Sequence, residues 1–345
     1  MAIFQTPHDF LNILQRLPGA NKAWREQAQE RQQSLTKPPG SLGRLEELAI
    51  FLAGWGRGAA PVADKITTLI FAGNHGVTKH NISPYPSSVT FQMVQNFAKK
   101  GAAINAITQS VGVDLNVIPI HLDIPTADIT THPALTHDQM LEALNIGAEA
   151  VPSDLDVLCL GEMGIGNTTI ASALSAATFG GPASSWAGAG TGLDEAGIAH
   201  KTLIIDRALE RYHGHTSDTK NSAFDILQHL GGRETAALVG AVLAARLKSI
   251  PVVLDGFVVC ASVAPLLLAH KGGLDHCLSG HLSAEAAHAK LLQHMRLYPL
   301  LQLDMRLGEG TGAALAAGVL RCAVATHNGM ATFAEANIDN RENRT

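Results

Sequence analysis

From Ile66 onward one pattern recurs along the chain: a short run of β-branched and aliphatic residues, then a longer stretch whose apolar positions have helical spacing. The runs are ITTLIFAG (66–73), VDLNVIPI (113–120), LDVLCLG (155–161) and PVVLDG (251–256), followed by a helix-rich last third. Strands alternating with helices predict an α/β fold on a mostly parallel sheet. Before Ile66 the pattern is polar and mainly helical. There Lys37-Pro38-Pro39-Gly40 marks a rigid turn, Ser41 is placed to cap a helix, and Leu45, Leu48, Ala49 and Leu52 share one face of it. Thr136 to Ala150 predicts an amphipathic helix, with Thr136 and Gln139 as a capping box and Met140, Leu141, Leu144 and Ala148 on its apolar side. Pro251 to His270 is almost continuously apolar, but Asp255-Gly256 and Pro265 interrupt it, so it predicts a buried strand, turn and helix in place of a membrane span. His121 to Leu135, rich in Pro, Thr and Asp, is expected to be a surface loop, and 337–345 a frayed tail.

Composition narrows the classes. The 345 residues suffice for two domains, or for one large α/β domain with additions. Hydrophobic residues make up 46% and charged ones 16%, with 33 glycines, so much of the backbone must be buried or tightly turned. Such apolar content at a net charge of −5 excludes a disordered chain. A nucleic-acid surface is not expected either, because no Lys/Arg run is longer than Lys99-Lys100. Cys159, Cys260, Cys277 and Cys322 lie far apart without C-x-x-C spacing and read as small core residues of a reducing compartment. The N-terminal stretch has no basic region, carries Asp9 among its apolar residues and offers no small-residue cleavage site. It does not read as a signal peptide, and a cytoplasmic location is expected.

In an open parallel sheet, ligands sit beyond the carboxyl ends of the strands, so the residues that end each run are candidates for chemistry. LDVLCL leads into Gly161-Glu162-Met163-Gly164-Ile165-Gly166-Asn167-Thr168-Thr169 and then a helix. Free N–H groups and the positive end of a helix dipole converge at such a start, which suits phosphate. A tight turn with capping threonines accounts for the glycines equally well, but not for Glu162, an acid where an anion would be repelled. The segment matches neither G-x-x-x-x-G-K-[ST] nor G-x-G-x-x-G, which counts against P-loop and dinucleotide enzymes. At Arg306-Leu307-Gly308-Glu309-Gly310-Thr311-Gly312 a carboxylate stands between two glycines at another helix start, either as a helix-dipole acid or as a general base. Gly188-Ala189-Gly190-Thr191-Gly192-Leu193-Asp194 opens a helix carrying Lys201 about two and a half turns in, as a solvated lysine or a ligand contact. Asp255-Gly256 ends a strand, and Ser283 serves either as a helix cap or as a phosphate donor. His75, ending the first strand, reads as a ligand, an acid–base group or a buried histidine, the last being favoured. His270, His276, His281 and His288 lack H-E-x-x-H or i, i+4 pairing, so no metal site is expected. A Ser-His-Asp hydrolase lacks its G-x-S-x-G.

Several of these segments are distinctive together. KPPGSLGRLE at Lys37, AGNHGV at Ala72, SPYPSSVTFQM at Ser83, GEMGIGNTT at Gly161, GTGLDEAGIAHK at Gly190, LDGF at Leu254, HLSAE at His281 and MRLGEGTGAALA at Met305 occur in that order. They closely resemble the nicotinate-nucleotide–dimethylbenzimidazole phosphoribosyltransferases of cobalamin (vitamin B12) biosynthesis, over roughly Lys37 to Ala316. The resemblance implies a Rossmann-like parallel sheet over 66–324, a small helical region over 1–65 joined by part of 325–345, and a homodimer. It implies transfer of a phosphoribosyl group from nicotinate mononucleotide to dimethylbenzimidazole with inversion, with no cofactor. Glu309 would be the general base, with Glu162 and Lys201 in support. Gly164, Gly166, Asn167, Thr168, Gly190 and Ser283 would bind the nucleotide phosphate, with Gly161, Asp255, Gly256 and Gly308 expected beside them at the same strand ends and helix starts. Ser83, Tyr85, Gln92 and Leu307 would bound the base pocket. One departure is Asn74, where the family is expected to carry Asp; Asn keeps a hydrogen bond there and loses a charge. The alternatives are a member that uses another base and a non-catalytic nucleotide-binding module, which would need neither Glu162 nor Glu309 to face a ligand.

Overall fold

The computed structural model describes residues 3–215 and 222–339. Its strands are β1 Ile66–Ala72, β2 Asp114–Pro119, β3 Val157–Met163, β4 Val252–Leu254, β5 Cys277–Leu282 and β6 Pro299–Gln302. They form one parallel sheet in the order β2-β1-β3-β4-β5-β6. From β1 the chain first builds outward to β2 and then crosses back to β3 and beyond. The connections therefore diverge at the carboxyl ends of β1 and β3, which opens a crevice there.

The four runs read from the sequence are β1 to β4. β5 and β6 fall in the last third, which the pattern predicts as helical; CLSGHL contains no β-branched residue and PLLQ is only four residues long. Their strand state comes from pairing onto β4 and β5, not from local propensity.

The helices in chain order are α1 Pro7–Gln15, α2 Lys22–Ser34, α3 Arg44–Trp55, α4 Ser88–Ala98, α5 Ala103–Val111, α6 His137–Glu149 and α7 Asn167–Phe179. They continue with α8 Glu195–His215, α9 Ala223–Leu230, α10 Arg233–Leu247, α11 Phe257–Val263, α12 Leu266–Ala269, α13 His288–Met295 and α14 Thr311–Gly329. Helices cover both faces of the sheet. Leu158 and Leu160 of β3 join the main core with α6, α7, α10 and α11, while Val157 and Cys159 face α3 and α14. Between α6 and α10 the backbones touch, because a Cβ on Gly147 would strike the Ala237 carbonyl and one on Gly240 the Leu144 carbonyl.

α6 has the expected capping box, and Met140, Leu144 and Ala148 are buried with Leu141 partly so. α3 differs at its start. Its cap is Gly43 and not Ser41, while Glu46 accepts from Leu42 N–H at 3.0 Å and pairs with Lys37 at 2.8 Å. Segment 251–270 is β4, a turn, α11 and α12; among the described residues no helix is long and apolar enough to cross a membrane. Segment 121–135 is irregular, but not all of it lies at the surface: Ile129, Ala134 and Leu135 enter the core. Asp128 anchors it, within 2.8 Å of Lys79 and 3.0 Å of His80. Cys159, Cys260 and Cys277 are core residues, whereas Cys322 is exposed on α14. Of the expected frayed tail, 340–345 lie outside the described residues.

The chain ends meet where Arg31 of α2 donates to the His327 and Asn328 carbonyls of α14 and Leu35 bridges to Thr332. α1 instead buries Phe10 and Leu14 in the main core. Arg246 of α10 ties the N-terminal helices to the sheet: it donates to the Pro18 carbonyl, contacts His276 Nδ1 at 3.1 Å and lies 4.1 Å over the Trp55 ring.

Candidate active site

Segments that follow β1, β3, β4, β5 and β6 deliver their polar residues to this end of the sheet. β3 carries Glu162 near its end, 6% exposed, and Glu162 Oε2 accepts from Asn167 Nδ2 at the first turn of α7. Burial first, then the charges of Asp255, Glu234 and Glu309, push the Glu162 carboxyl well above the ordinary range, against the Asn167 hydrogen bond.

Glu309 sits in the turn that leads into α14. Its φ is +62°, between Gly308 at +81° and Gly310 at +79°. A non-glycine residue in this region is strained by about 1 kcal/mol or more, so the surroundings must fix it. They do so from two sides. Asp255, after β4, accepts from the N–H groups of Gly310 (3.1 Å), Gly312 (2.7 Å) and Ala313 (3.0 Å). On the other side Gly161 of β3 lies so close that a Cβ there would be 2.8 Å from the Glu309 carbonyl carbon. The Glu309 carboxyl is buried, its Oε2 has no hydrogen-bond partner among the described residues, and burial with the charge of Asp255 pushes its pKa up to about 7. A Cβ on Gly308 would lie 2.7 Å from Glu162 Oε1, so the Glu309 turn and Glu162 adjoin.

Asp255 itself is fully buried, with both oxygens on the first turn of α14 and His281 Nε2 at 3.6 Å. Expected at the phosphate, it faces the positive end of the α14 dipole instead, which is where a buried carboxylate is favoured. Gly256 starts α11 against His281 and Ser283.

A second group of residues surrounds the start of α7. Gly166, φ +93°, precedes Asn167 and Thr168, so the free N–H groups of the helix open here. Lys201 is fully buried and not a solvated lysine; it lies about 1.7 turns into α8. Its Nζ donates to Thr168 Oγ1 at 2.8 Å and to the Gly188 carbonyl at 3.2 Å, and burial pulls its pKa down to about 8, opposed by Glu285. Gly190 N–H donates to Glu285 Oε1 at 3.2 Å, and Glu285 N–H donates to Ser283 Oγ at 3.2 Å. Ser283 thus caps its own turn and not α13, whose cap is Ala287. Gly164 packs on the Gly73 carbonyl, 2.7 Å from where its Cβ would stand.

A third edge carries the residues expected around the base. Ser83 Oγ lies 3.2 Å from Thr191 Oγ1 and accepts from Tyr85 N–H, while Arg306 Nη1 donates to the Gly190 carbonyl at 3.2 Å. These ties bring Ser83, Tyr85 and Leu307 to the Gly190 turn, with Tyr85 and Leu307 more than half exposed. Gln92 is exposed on α4 and, among the described residues, has no hydrogen bond to the others. α4 itself reaches the glycine loop through Thr90, which accepts from Ile165 N–H at 3.1 Å.

At the end of β1, His75 is a buried histidine with Nε2 2.8 Å from Glu234 Oε1. Asn74 Nδ2 donates to the Leu122 carbonyl at 2.8 Å, a bond that an ionised Asp could not make. The sequence reading missed Glu234 and Glu285. Glu285 stands two residues after Ser283, and Glu234 stands two residues after Gly231-Gly232, in the first turn of a helix. Among the described residues no group of three or more His, Cys, Asp or Glu side chains is placed to hold a metal ion.

A family profile described as phosphoribosyltransferase matches residues 17–338. A nicotinate-nucleotide–dimethylbenzimidazole phosphoribosyltransferase from Novosphingobium aromaticivorans is 53% identical, covering 98% of this chain and 99% of the relative. One of the same name from Rhizobium meliloti is 48% identical, over 97% of each chain. The crystal structure of CobT from Thermus thermophilus matches with a TM-score of 0.86 and 36% identity, covering 92% of this chain and 99% of that one. A crystal structure titled as the nicotinate-nucleotide–dimethylbenzimidazole enzyme of that organism matches at 0.84 and 35%, covering 93% of this chain and 99% of that one. Matched over nearly its whole length by relatives of one name and one fold, the chain belongs to the nicotinate-nucleotide–dimethylbenzimidazole phosphoribosyltransferase family.

Proposed function

We propose that Glu309 is the base with which this phosphoribosyltransferase accepts the proton of dimethylbenzimidazole, while the α7 start, Lys201 and Ser283 hold the nucleotide phosphate. The reaction moves the phosphoribosyl group of nicotinate mononucleotide to dimethylbenzimidazole, giving nicotinate and α-ribazole 5′-phosphate for the lower ligand of cobalamin. The observation that supports this most is the buried, unpartnered Glu309 Oε2 on a turn fixed by Asp255 and Gly161.

The chemistry asks little acid help of the protein. The nicotinate ring nitrogen is cationic in the nucleotide and leaves neutral, so no leaving-group acid is needed. As the glycosidic bond stretches, positive charge develops on the ribose, and carboxylates beside it stabilise that charge. Glu309, partly ionised at neutral pH, contributes the negative charge, and Glu162, held toward its neutral form, supports the turn it adjoins. One benzimidazole nitrogen then attacks the anomeric carbon from the opposite face while the N–H of the other loses its proton to Glu309. A pKa of about 7 lets Glu309 both accept that proton and release it at neutral pH. The buried Lys201 ammonium and the N–H groups of α7 supply charge and donors for a phosphate. A homodimer and a cytoplasmic location complete the proposal, the former checked by sedimentation.

The test mixes protein with nicotinate mononucleotide and dimethylbenzimidazole and follows both products by chromatography. Equimolar nicotinate and α-ribazole phosphate are expected. Nucleotide binding without either product would favour the non-catalytic module.

A further inference from the structure

Glu285 belongs to none of the roles above, yet it is 7% exposed and stands where three of the phosphate-side segments meet. Its carboxylate accepts from Gly190 N–H, and its own N–H donates to Ser283 Oγ. Gly188 has to be glycine for this approach, because a Cβ there would collide with Glu285 Oε1. The same Gly188 offers its carbonyl to Lys201 Nζ. One carboxylate thus joins the turn after β5 to the Gly188–Gly192 turn, whose Gly188 carbonyl accepts from a fully buried ammonium.

We infer that Glu285 is a positioning residue for the nucleotide phosphate: it fixes the Gly188–Gly190 turn and Ser283 around Lys201 and serves as the counter-ion that keeps Lys201 charged before substrate arrives. The inference rests on the reading of Lys201 as a phosphate contact. A buried ammonium with only neutral donors and acceptors would shed its proton, since desolvation disfavours the charged form. Among the groups brought to this corner, α7 contributes the neutral Thr168. The segment after β6 contributes Arg306, whose guanidinium donates to the Gly190 carbonyl and adds positive charge. The turn after β5 contributes Glu285, whose Oε1 lies against Gly188, the residue whose carbonyl accepts from Lys201 Nζ, and its charge favours the ammonium. It is held by Gly190 N–H at the back of the turn, so it offsets the lysine without taking its donors.

Two variants separate the parts of this role. Glu285→Gln keeps an acceptor for Gly190 and removes the charge; Glu285→Ala removes both. Steady-state kinetics with nicotinate mononucleotide and dimethylbenzimidazole from pH 6 to 9, with thermal melts to confirm folding, is the experiment. In the wild type, KM for the nucleotide rises as pH passes about 8, where Lys201 loses its proton. In Glu285→Gln that rise moves down by about one to two pH units, as loss of an opposite charge beyond ion-pair contact at an effective dielectric near 20 implies. At pH 8 its KM for the nucleotide is then about tenfold higher, with kcat and KM for dimethylbenzimidazole within about twofold. Glu285→Ala shows a higher nucleotide KM at every pH. A Gln variant with an unchanged KM–pH profile overturns the counter-ion role, and one with a lower KM shows that the carboxylate competes with phosphate instead. If Lys201→Ala leaves the nucleotide KM unaltered while wild type is active, the phosphate reading of Lys201 fails and not the arrangement of Glu285.

Discussion

Replacing Glu309 by glutamine removes the proposed proton acceptor and little else. Glutamine has the same length, can keep the positive-φ turn held by Asp255, and breaks no bond at Oε2, which has no hydrogen-bond partner among the described residues. Loss of a positioned base costs about 100-fold or more in kcat, or about 2.7 kcal/mol of barrier. The pH dependence gives a second magnitude. With its pKa at about 7, Glu309 is ionised in about one molecule in ten at pH 6 and about nine in ten at pH 8. Wild-type kcat should therefore rise about tenfold over this range, with a midpoint near 7, and Glu309→Gln should lose this limb. Stability moves the other way. A carboxyl whose folded pKa is raised disfavours the folded state as pH climbs from the unfolded value, near 4.5, through about 7. The full shift corresponds to at most about 3.4 kcal/mol, and screening on the open side of the carboxyl reduces it to about 1 to 2 kcal/mol. The variant should thus melt higher than wild type at pH 8 and equally at pH 4. Product analysis by chromatography and melting curves at both pH values decide the matter. Turnover within about threefold of wild type, or a wild-type midpoint near 4.5, would refute the assignment of Glu309 as base.

Other substitutions test the supports. Glu162→Gln relieves a buried carboxyl opposed by three acidic neighbours, so Tm should rise by about 2 °C per kcal/mol recovered above pH 4.5, and not below it; calorimetry at pH 4 and pH 8 shows the difference. Gly161→Ala drives a methyl group into the Glu309–Gly310 backbone and should lower kcat at least about tenfold while nucleotide binding, measured by calorimetric titration, persists. Asn74→Asp sets a carboxylate against the Leu122 carbonyl and should cost about 1 to 3 kcal/mol in denaturant unfolding, with kcat nearly unchanged. A gain in stability there would show that the Asp expected in relatives is tolerated in this setting as well.

How much of the site was legible follows from how far each residue's role depends on its sequence neighbours. Glu162 and Glu309 stand between glycines at strand-to-helix turns, a local signal that survives without coordinates. Asp255, with a glycine only after it, carries part of that signal, yet its oxygens turn to α14, because a helix more than fifty residues later in the chain offers three N–H groups to them. Lys201 looked like an ordinary helix lysine; burial by α7 and the Gly188 turn makes it a candidate phosphate group. Glu234 and Glu285 were overlooked because their partners, His75 and Gly190, are distant in sequence.

By itself the sequence determined the α/β class, the first four strands, the capping box of α6, the buried character of 251–270 and the glycine-flanked acids at the strand ends. These features are encoded in periods of two and 3.6 residues and in local turn chemistry, which need no knowledge of the rest of the chain. Only the tertiary structure decided that CLSGHL and PLLQ are strands, that Ser83, Tyr85 and Leu307 meet the Gly190 turn, and which carboxylates face the crevice. Those outcomes depend on pairing, burial and charge between segments that folding alone brings together, and desolvation at such contacts is what raises Glu309 to about 7 and lowers Lys201 to about 8.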